Sequence, residues 1–250
     1  MSFLGKFRPI SYSGNPSAPA TRPSYGPNHR FPPVPLHAPA GGSARPGEET
    51  TGRFSNGLKE FLWHLEGIGR GSLLDLGAVS QATLTYFIEH NFKVYTEDLM
   101  AGWGAFLEQD SQRIALLPPD AERPDLSPAA RAGRFLASNL HYPTNSFDAV
   151  LLWDLMDYMD REAAKQFLPR ITSMVREGGA VLAIFHTRPP EQFNRYRVVD
   201  AHSLQLVPAA TLVRPQHIYQ NREIQELFGK FRTSKTFVGR DQLREGVFVK

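Results

Sequence analysis

Residues Ser72–Leu99 read SLLDLGAVSQATLTYFIEHNFKVYTEDL. The apolar run of Leu73, Leu74 and Leu76 closes on Gly77, apolar positions at helical spacing follow from Ser80 to His90, and a β-rich run ends in Glu97-Asp98. The order is strand, turn, helix, strand. A glycine stands at the first turn and an acid at the end of the second strand. In a parallel sheet this arrangement sets a turn and a helix N-terminus beside a nucleoside, with the acid in reach of its ribose hydroxyls.

Downstream, Gly102–Leu117 has helical apolar spacing and stops at Pro118-Pro119. Arg134-Phe135-Leu136 is a short strand candidate. Phe147–Trp153, FDAVLLW, is apolar almost throughout, as a central strand buried on both faces requires. Asp160 caps a helix predicted to run to about Arg176, with Pro169 inside it to bend it or remove one bond, and Ala180–Phe185 is a further buried strand. Upstream, Ser55 caps a helix carrying Leu58, Phe61, Leu62 and Leu65. Alternating strands and helices predict a doubly wound, mostly parallel α/β sheet. The long connection Thr187–Pro215, with strand signals at Ser203–Val207 and Ala210–Val213, is expected to shape a substrate pocket. A helix at Arg222–Phe228 and strands at Thr233–Val238 and Gly246–Val249 follow, the last two forming an antiparallel pair at the sheet edge.

Composition limits the partners. The 250 residues are 41% hydrophobic, enough for a sizeable core, and no apolar run reaches the roughly 18 residues of a membrane span. Cysteine is absent, which excludes disulfides and thiol chemistry. The eight histidines form no metal-ligand spacing, so no metal site is expected, and the cytoplasm is the expected location. Residues 1–52 carry five of the 28 basic side chains and two of the 25 acidic ones, so the net charge of +3 belongs to this tail and no nucleic-acid partner is indicated. The same segment holds 10 of the 20 prolines. It is read as disordered, with the folded domain over residues 53–250, and Phe31–Pro35 offers a polyproline ligand to a protein partner.

The sequence Leu73-Leu74-Asp75-Leu76-Gly77, then Thr96-Glu97-Asp98-Leu99, Ser146–Asp154 and Arg176–Ala180, resembles the class I S-adenosylmethionine-dependent methyltransferases. The resemblance implies a Rossmann-like, seven-stranded sheet ending in an antiparallel hairpin. It places Gly77 under the methionine part of the cofactor S-adenosyl-L-methionine, with Asp75 as the acid preceding that loop. Asp98 falls at the ribose and Leu99 beside the adenine. Ser138, Asn139 and Leu140 occupy the loop that meets the adenine amino group, and Trp153-Asp154 follows the fourth strand where substrate and cofactor meet. The family's further glycines would fall at 79 and 81, where this chain has Val79 and Gln81. Glycine serves there because a missing Cβ lets the backbone approach the ligand, and Val79 is β-branched.

Each residue has a plainer reading beside the functional one. Asp75 serves equally as a strand-end anchor. Asp154, Asp157 and Asp160 read as helix-start acids, and His186, His202 and His217 as scattered loop histidines. Arg188, Arg195 and Arg197 either grip an acidic substrate or are solvated. No catalytic residue is assigned, since methyl transfer is an in-line displacement that depends on positioning. No Asn-Pro-Pro-Tyr element points to an amino-group substrate. The expected function is methyl transfer to a small molecule. The alternatives are an inactive protein of the same fold that binds a partner, and another nucleotide-binding enzyme such as a dehydrogenase.

Overall fold

The strand running into Gly77 is central to the sheet in the computed structural model, which describes residues 51–210 and 213–250. Strand β1 (Thr51–Phe54) leads into helix α1 (Asn56–Leu65), whose first turn is closed by Ser55 Oγ accepting from Leu58 N at 2.9 Å. Then come β2 (Gly71–Asp75), α2 (Gln81–Glu89, capped by Ser80) and β3 (Phe92–Thr96). Asn91 makes the turn into β3 at φ +64°, a conformation that asparagine tolerates.

Asp98 caps α3 (Leu99–Ala115), and Ser127 followed by Pro128 starts α4 (Pro128–Leu136). Strand β4 (Phe147–Trp153) ends in a 3-10 turn, Leu155–Tyr158, before α5 (Arg161–Met174), which runs through Pro169. Strand β5 (Val175–His186) is followed by β6 (Asn194–Val198), β7 (Ser203–Pro208), α6 (Asn221–Leu227), β8 (Thr233–Val238) and β9 (Leu243–Val249).

The main sheet has the order β3-β2-β4-β5-β9-β8. The first four strands are parallel, and β9 enters antiparallel between β5 and β8. This is the doubly wound sheet with a C-terminal antiparallel hairpin that the class I methyltransferase resemblance implies, with six strands rather than seven. The strand expected at Arg134-Phe135-Leu136 is the last turn of α4. Ala132 and Phe135 face the core three residues apart, the spacing of one helical face, while Arg134 reaches the buried Asp110 of α3 at 2.8 Å. Asp110 also takes Arg113 and Arg131, so the burial of its charge is compensated by three guanidinium groups.

Two apolar layers cover the sheet. One joins Leu74, Trp103, Phe135 and Phe167 to α5 and Phe228, and the other joins Leu58, Phe61 and Phe87 to Leu151, Leu182 and Val198. The second small sheet, β1-β7-β6, is antiparallel and adjoins α2, where Val198 N donates to Thr83 Oγ1 at 3.0 Å. It comes mostly from the long connection after β5. Strand β7 is where the sequence places it; Ala210 and Val213 belong to no strand, and residues 211 and 212 lie outside the described ones. The expected tail also lies outside the described residues, apart from Thr51 and Gly52, which pair with Leu206 and Gln205. Among the described residues no helix is long and apolar enough to cross a membrane.

Candidate functional site

Strands β2 and β4 are neighbours, but the chain leaves β2 toward β3 on one side and leaves β4 toward β5 on the other. Loops diverge at such a point and leave a crevice beyond the strand ends. Here the crevice is a cleft of about 270 Å³. Gly77 and Ala78 come from the turn after β2, Asp98 from the end of β3, Met100, Ala101 and Gly104 from α3, and Trp153, Asp154 and Leu155 from the end of β4. Phe193–Tyr196, at the start of β6, close the other wall with Val213. The pocket expected from Thr187–Pro215 is therefore present.

Of the two acids at the end of β3, Glu97 is engaged, its Oε1 accepting from the Tyr142 hydroxyl at 2.6 Å. Asp98 lines the cleft and commits Oδ1 to Ala101 N, leaving Oδ2 for a ligand. Asp75 sits behind the wall. Its Oδ1 accepts from Trp153 Nε1 at 2.7 Å and from Gly77 N at 3.0 Å, and the residue is 2% exposed. Burial pushes its carboxyl up to about 6, against the pull of those two donors. A Cβ on Gly77 would fall 2.5 Å from the Trp153 ring, so the missing side chain there makes room for the indole. Trp153 itself has φ +54°, a strained setting for a bulky residue, and lies flat on Tyr196 with ring centres 5.6 Å apart.

Val79 and Gln81 turn away from the cleft. Val79 is 62% exposed, and Gln81 donates to Thr85 along α2. Neither lines the cleft. Leu99, Ser138, Asn139 and Leu140, which the resemblance sets around the adenine, make other contacts here. Leu99 is buried in the core because it opens the inward face of α3. Ser138 and Asn139 follow α4, where Asn139 Nδ2 closes the helix end on Phe135 O, and Leu140 is buried with its carbonyl held by Arg170. None of these residues lines the cleft.

A cluster of buried polar groups beside the cleft includes Asp154, which the resemblance sets with Trp153 after the fourth strand, and extends to residues that the sequence does not assign to a site. Asp154, read as a helix-start acid, is 2% exposed and lines the cleft. Its Oδ2 accepts from the Tyr196 hydroxyl at 3.2 Å and lies 3.8 Å from His186 Nε2. Asp157 Oδ2 takes both the His186 backbone N, at 2.6 Å, and Nδ1, at 3.0 Å. Burial raises both carboxyls, Asp154 to about 7, while the neighbouring His186 opposes the rise. Asp154 heads the 3-10 turn and Asp157 lies within it, but of the three aspartates only Asp160 caps a helix with its side chain, accepting from Glu162 N at 2.8 Å. His186 is the last residue of β5 rather than a loop residue. It lines a second hollow of about 420 Å³ with Arg188, Glu191 and Gln192, and Asn194 and Tyr196 form a wall shared with the cleft.

No family model matches the chain, and no curated protein matches it. Solved structures are similar to it. They include a Burkholderia thailandensis 1,6-didemethyltoxoflavin-N1-methyltransferase with bound 1,6-didemethyltoxoflavin and S-adenosylhomocysteine, at 17% identity and TM-score 0.41 over 78% of this chain and 76% of that one. A Leishmania major SAM-dependent methyltransferase is 13% identical, with TM-score 0.42 over 77% and 69% of the two chains. A Methanosarcina mazei SAM-dependent methyltransferase is 9% identical, with TM-score 0.41 over 75% and 94%. At this distance the likeness carries no functional conclusion, and only the chemistry of the site can supply one.

Proposed function

We propose that this protein is an S-adenosylmethionine-dependent methyltransferase acting on a small molecule. The observation that carries the reading is the cleft at the β2/β4 divergence, with the Asp98 carboxylate at one side and the buried Asp154 at another. Asp98 Oδ2 would accept from ribose hydroxyls, and Met100 and Ala101 would form an apolar wall for the base. Gly77 and Ala78 would line the amino-acid end, and Asp154 would face the sulfonium, whose positive charge suits a carboxylate in low dielectric. When bound, the cofactor supplies an electrophilic methyl group. The chain's own part is to hold the acceptor in line with that group and exclude water, which the β6 wall does with Phe193 and Tyr196. We read residues 53–250 as the catalytic domain and the proline-rich segment before it as a tether for a protein partner.

One observation favours a second reading, a cleft that binds without transferring. Asp75, the acid the resemblance assigns beside the methionine part, is sealed under Trp153. Calorimetric titration with S-adenosylmethionine and S-adenosylhomocysteine is the first test. Binding of both in the micromolar range supports the cofactor site, and no heat at millimolar ligand sinks it. Incubation with methyl-labelled cofactor and a pool of small metabolites separates the two readings: label in the small-molecule fraction means transfer, and binding without label means the inactive form.

A further inference from the structure

Four polar side chains form an almost unbroken row between the cleft and the second hollow: Tyr196, Asp154, His186 and Asp157. Asp154 borders the cleft, His186 borders the hollow, and 3.8 Å separates the Oδ2 of one from the Nε2 of the other. Asp157 Oδ2 accepts from both the His186 backbone N and the ring Nδ1, so Nδ1 carries a proton and Nε2 is turned toward Asp154. Buried polar groups in such a row are costly, and packing alone would be served as well by apolar residues.

We infer that Asp154 is a base gated by the charge in the cleft: it gives up its proton through His186 to the second hollow when a sulfonium enters, and takes the acceptor's proton once methyl transfer has removed that charge. The inference rests on the methyltransferase reading. A positive sulfonium lowers the proton affinity of a nearby buried carboxyl, so Asp154 becomes the anion as the cleft fills. In the transfer, the lone pair of a hydroxyl or amine acceptor forms the new bond to the methyl carbon while the carbon–sulfur pair stays on sulfur. The acceptor's proton passes to Asp154, whose affinity for it rises again beside the now neutral thioether. The proton lost to the hollow on filling is matched by the one gained in transfer, so the cycle balances. The acceptor class is one that must shed a proton to become neutral.

Each element packed around Asp154 presents a group to it. The 3-10 turn presents Asp157 and Tyr158, β5 presents His186, and β6 presents Tyr196 and the cleft-lining Arg195. His217 acts on Asp157, Arg244 feels Asp157, and Arg53 acts on Tyr196. With burial lifting Asp154 into the neutral range, it is about half protonated at pH 7 before any ligand arrives.

The test is calorimetric titration of the full chain at pH 7 in two buffers of different ionisation enthalpy, which counts protons exchanged on binding. S-adenosylmethionine is expected to release up to about half a proton and the neutral S-adenosylhomocysteine much less. Asp154→Asn is expected to abolish the difference, with S-adenosylmethionine bound more weakly and the neutral S-adenosylhomocysteine still bound. His186→Gln, a milder change, removes the neighbour that opposes the rise at Asp154 and moves the midpoint of proton release to higher pH. Equal release with the two ligands, or no shift with His186→Gln, overturns the gated base and leaves the methyltransferase reading standing. Failure of both ligands to bind overturns both.

Discussion

Asp75 and Asp154 stand near the C-terminal ends of neighbouring strands, one ending β2 and the other following β4, and both are buried carboxyls whose proton affinity is raised by lost hydration. Their surroundings differ in one respect. Asp75 has two donors converging on a single oxygen and an indole between it and the cleft. Asp154 has a tyrosine hydroxyl, a histidine at 3.8 Å, and a face on the cleft. The same chemical group therefore acts as an anchor for the turn in one case and as a group able to exchange a proton with a ligand in the other. Access, rather than residue type or strand position, separates the roles.

The strongest way to break that contrast is to remove the indole. Trp153→Ala empties the space over Gly77 and strips Asp75 of a donor, and unfolding by urea should show a loss of about 4 kcal/mol. Trp153→Phe keeps most of the packing and should cost about 2 kcal/mol for the lost bond. A loss below about 1 kcal/mol in both would mean that the indole does not hold Asp75 in place.

Next in size is a pH effect. Asp75 binds its proton more tightly folded, with a value of about 6, than unfolded, near 3.8. The folded state therefore holds more protons in that interval, and the group's contribution to stability falls as pH rises from about 4 to 6 or 7, by about 3 kcal/mol. Asp75→Asn keeps an acceptor oxygen for Trp153 and Gly77 while removing the titration. Against wild type it should gain relative stability of that order between pH 4 and 7 in melts across that range. A flat difference would place the titration elsewhere.

The same contrast explains what could be read from the chain alone. The alternation of β2, α2, β3, β4 and β5 was legible because each is a long apolar or amphipathic run with its cap in place, and the terminal hairpin because β-branched residues and turn signals bracket it. Arg134-Phe135-Leu136 misled because three residues are too few to show period 3.6, and Ser127-Pro128, seven residues earlier, was the better signal. That Asp98 stands at the cleft was legible from its place at a strand end. Asp154 was legible by its place after β4, but its partners were not, because Tyr196 is 42 residues away in sequence and belongs to the separate small sheet. The row Arg195-Tyr196-Arg197-Val198 alternates polar and apolar and could have marked β6.

Sharpening the contrast further needs a residue on the open side of the cleft. Asp98 both caps α3 and offers Oδ2 to a ligand, so Asp98→Ala would mix the two roles. Asp98→Ser retains a capping oxygen, and its stability should stay within about 0.5 kcal/mol of wild type. S-adenosylhomocysteine affinity should fall about ten- to a hundredfold for loss of a charge-assisted bond to the ribose, read by calorimetry. An unchanged affinity would remove Asp98 from the site.

The smallest effect expected is at Val79, and it bears on why a departure from a glycine-rich pattern need not abolish a site. Where this turn approaches the cleft it does so through Gly77 and Ala78, while Val79 is already 62% exposed and outside the left-handed region, with Ser80 capping the helix behind it. A glycine at 79 would neither open ligand space nor relieve strain. Val79→Gly should therefore leave S-adenosylhomocysteine affinity unchanged and lower stability by about 0.5 kcal/mol through added unfolded-state freedom. A severalfold gain in affinity would show instead that Val79 holds the turn away from the ligand, making the turn after β2, and not only the indole over Asp75, the feature that distinguishes the closed acid from the open one.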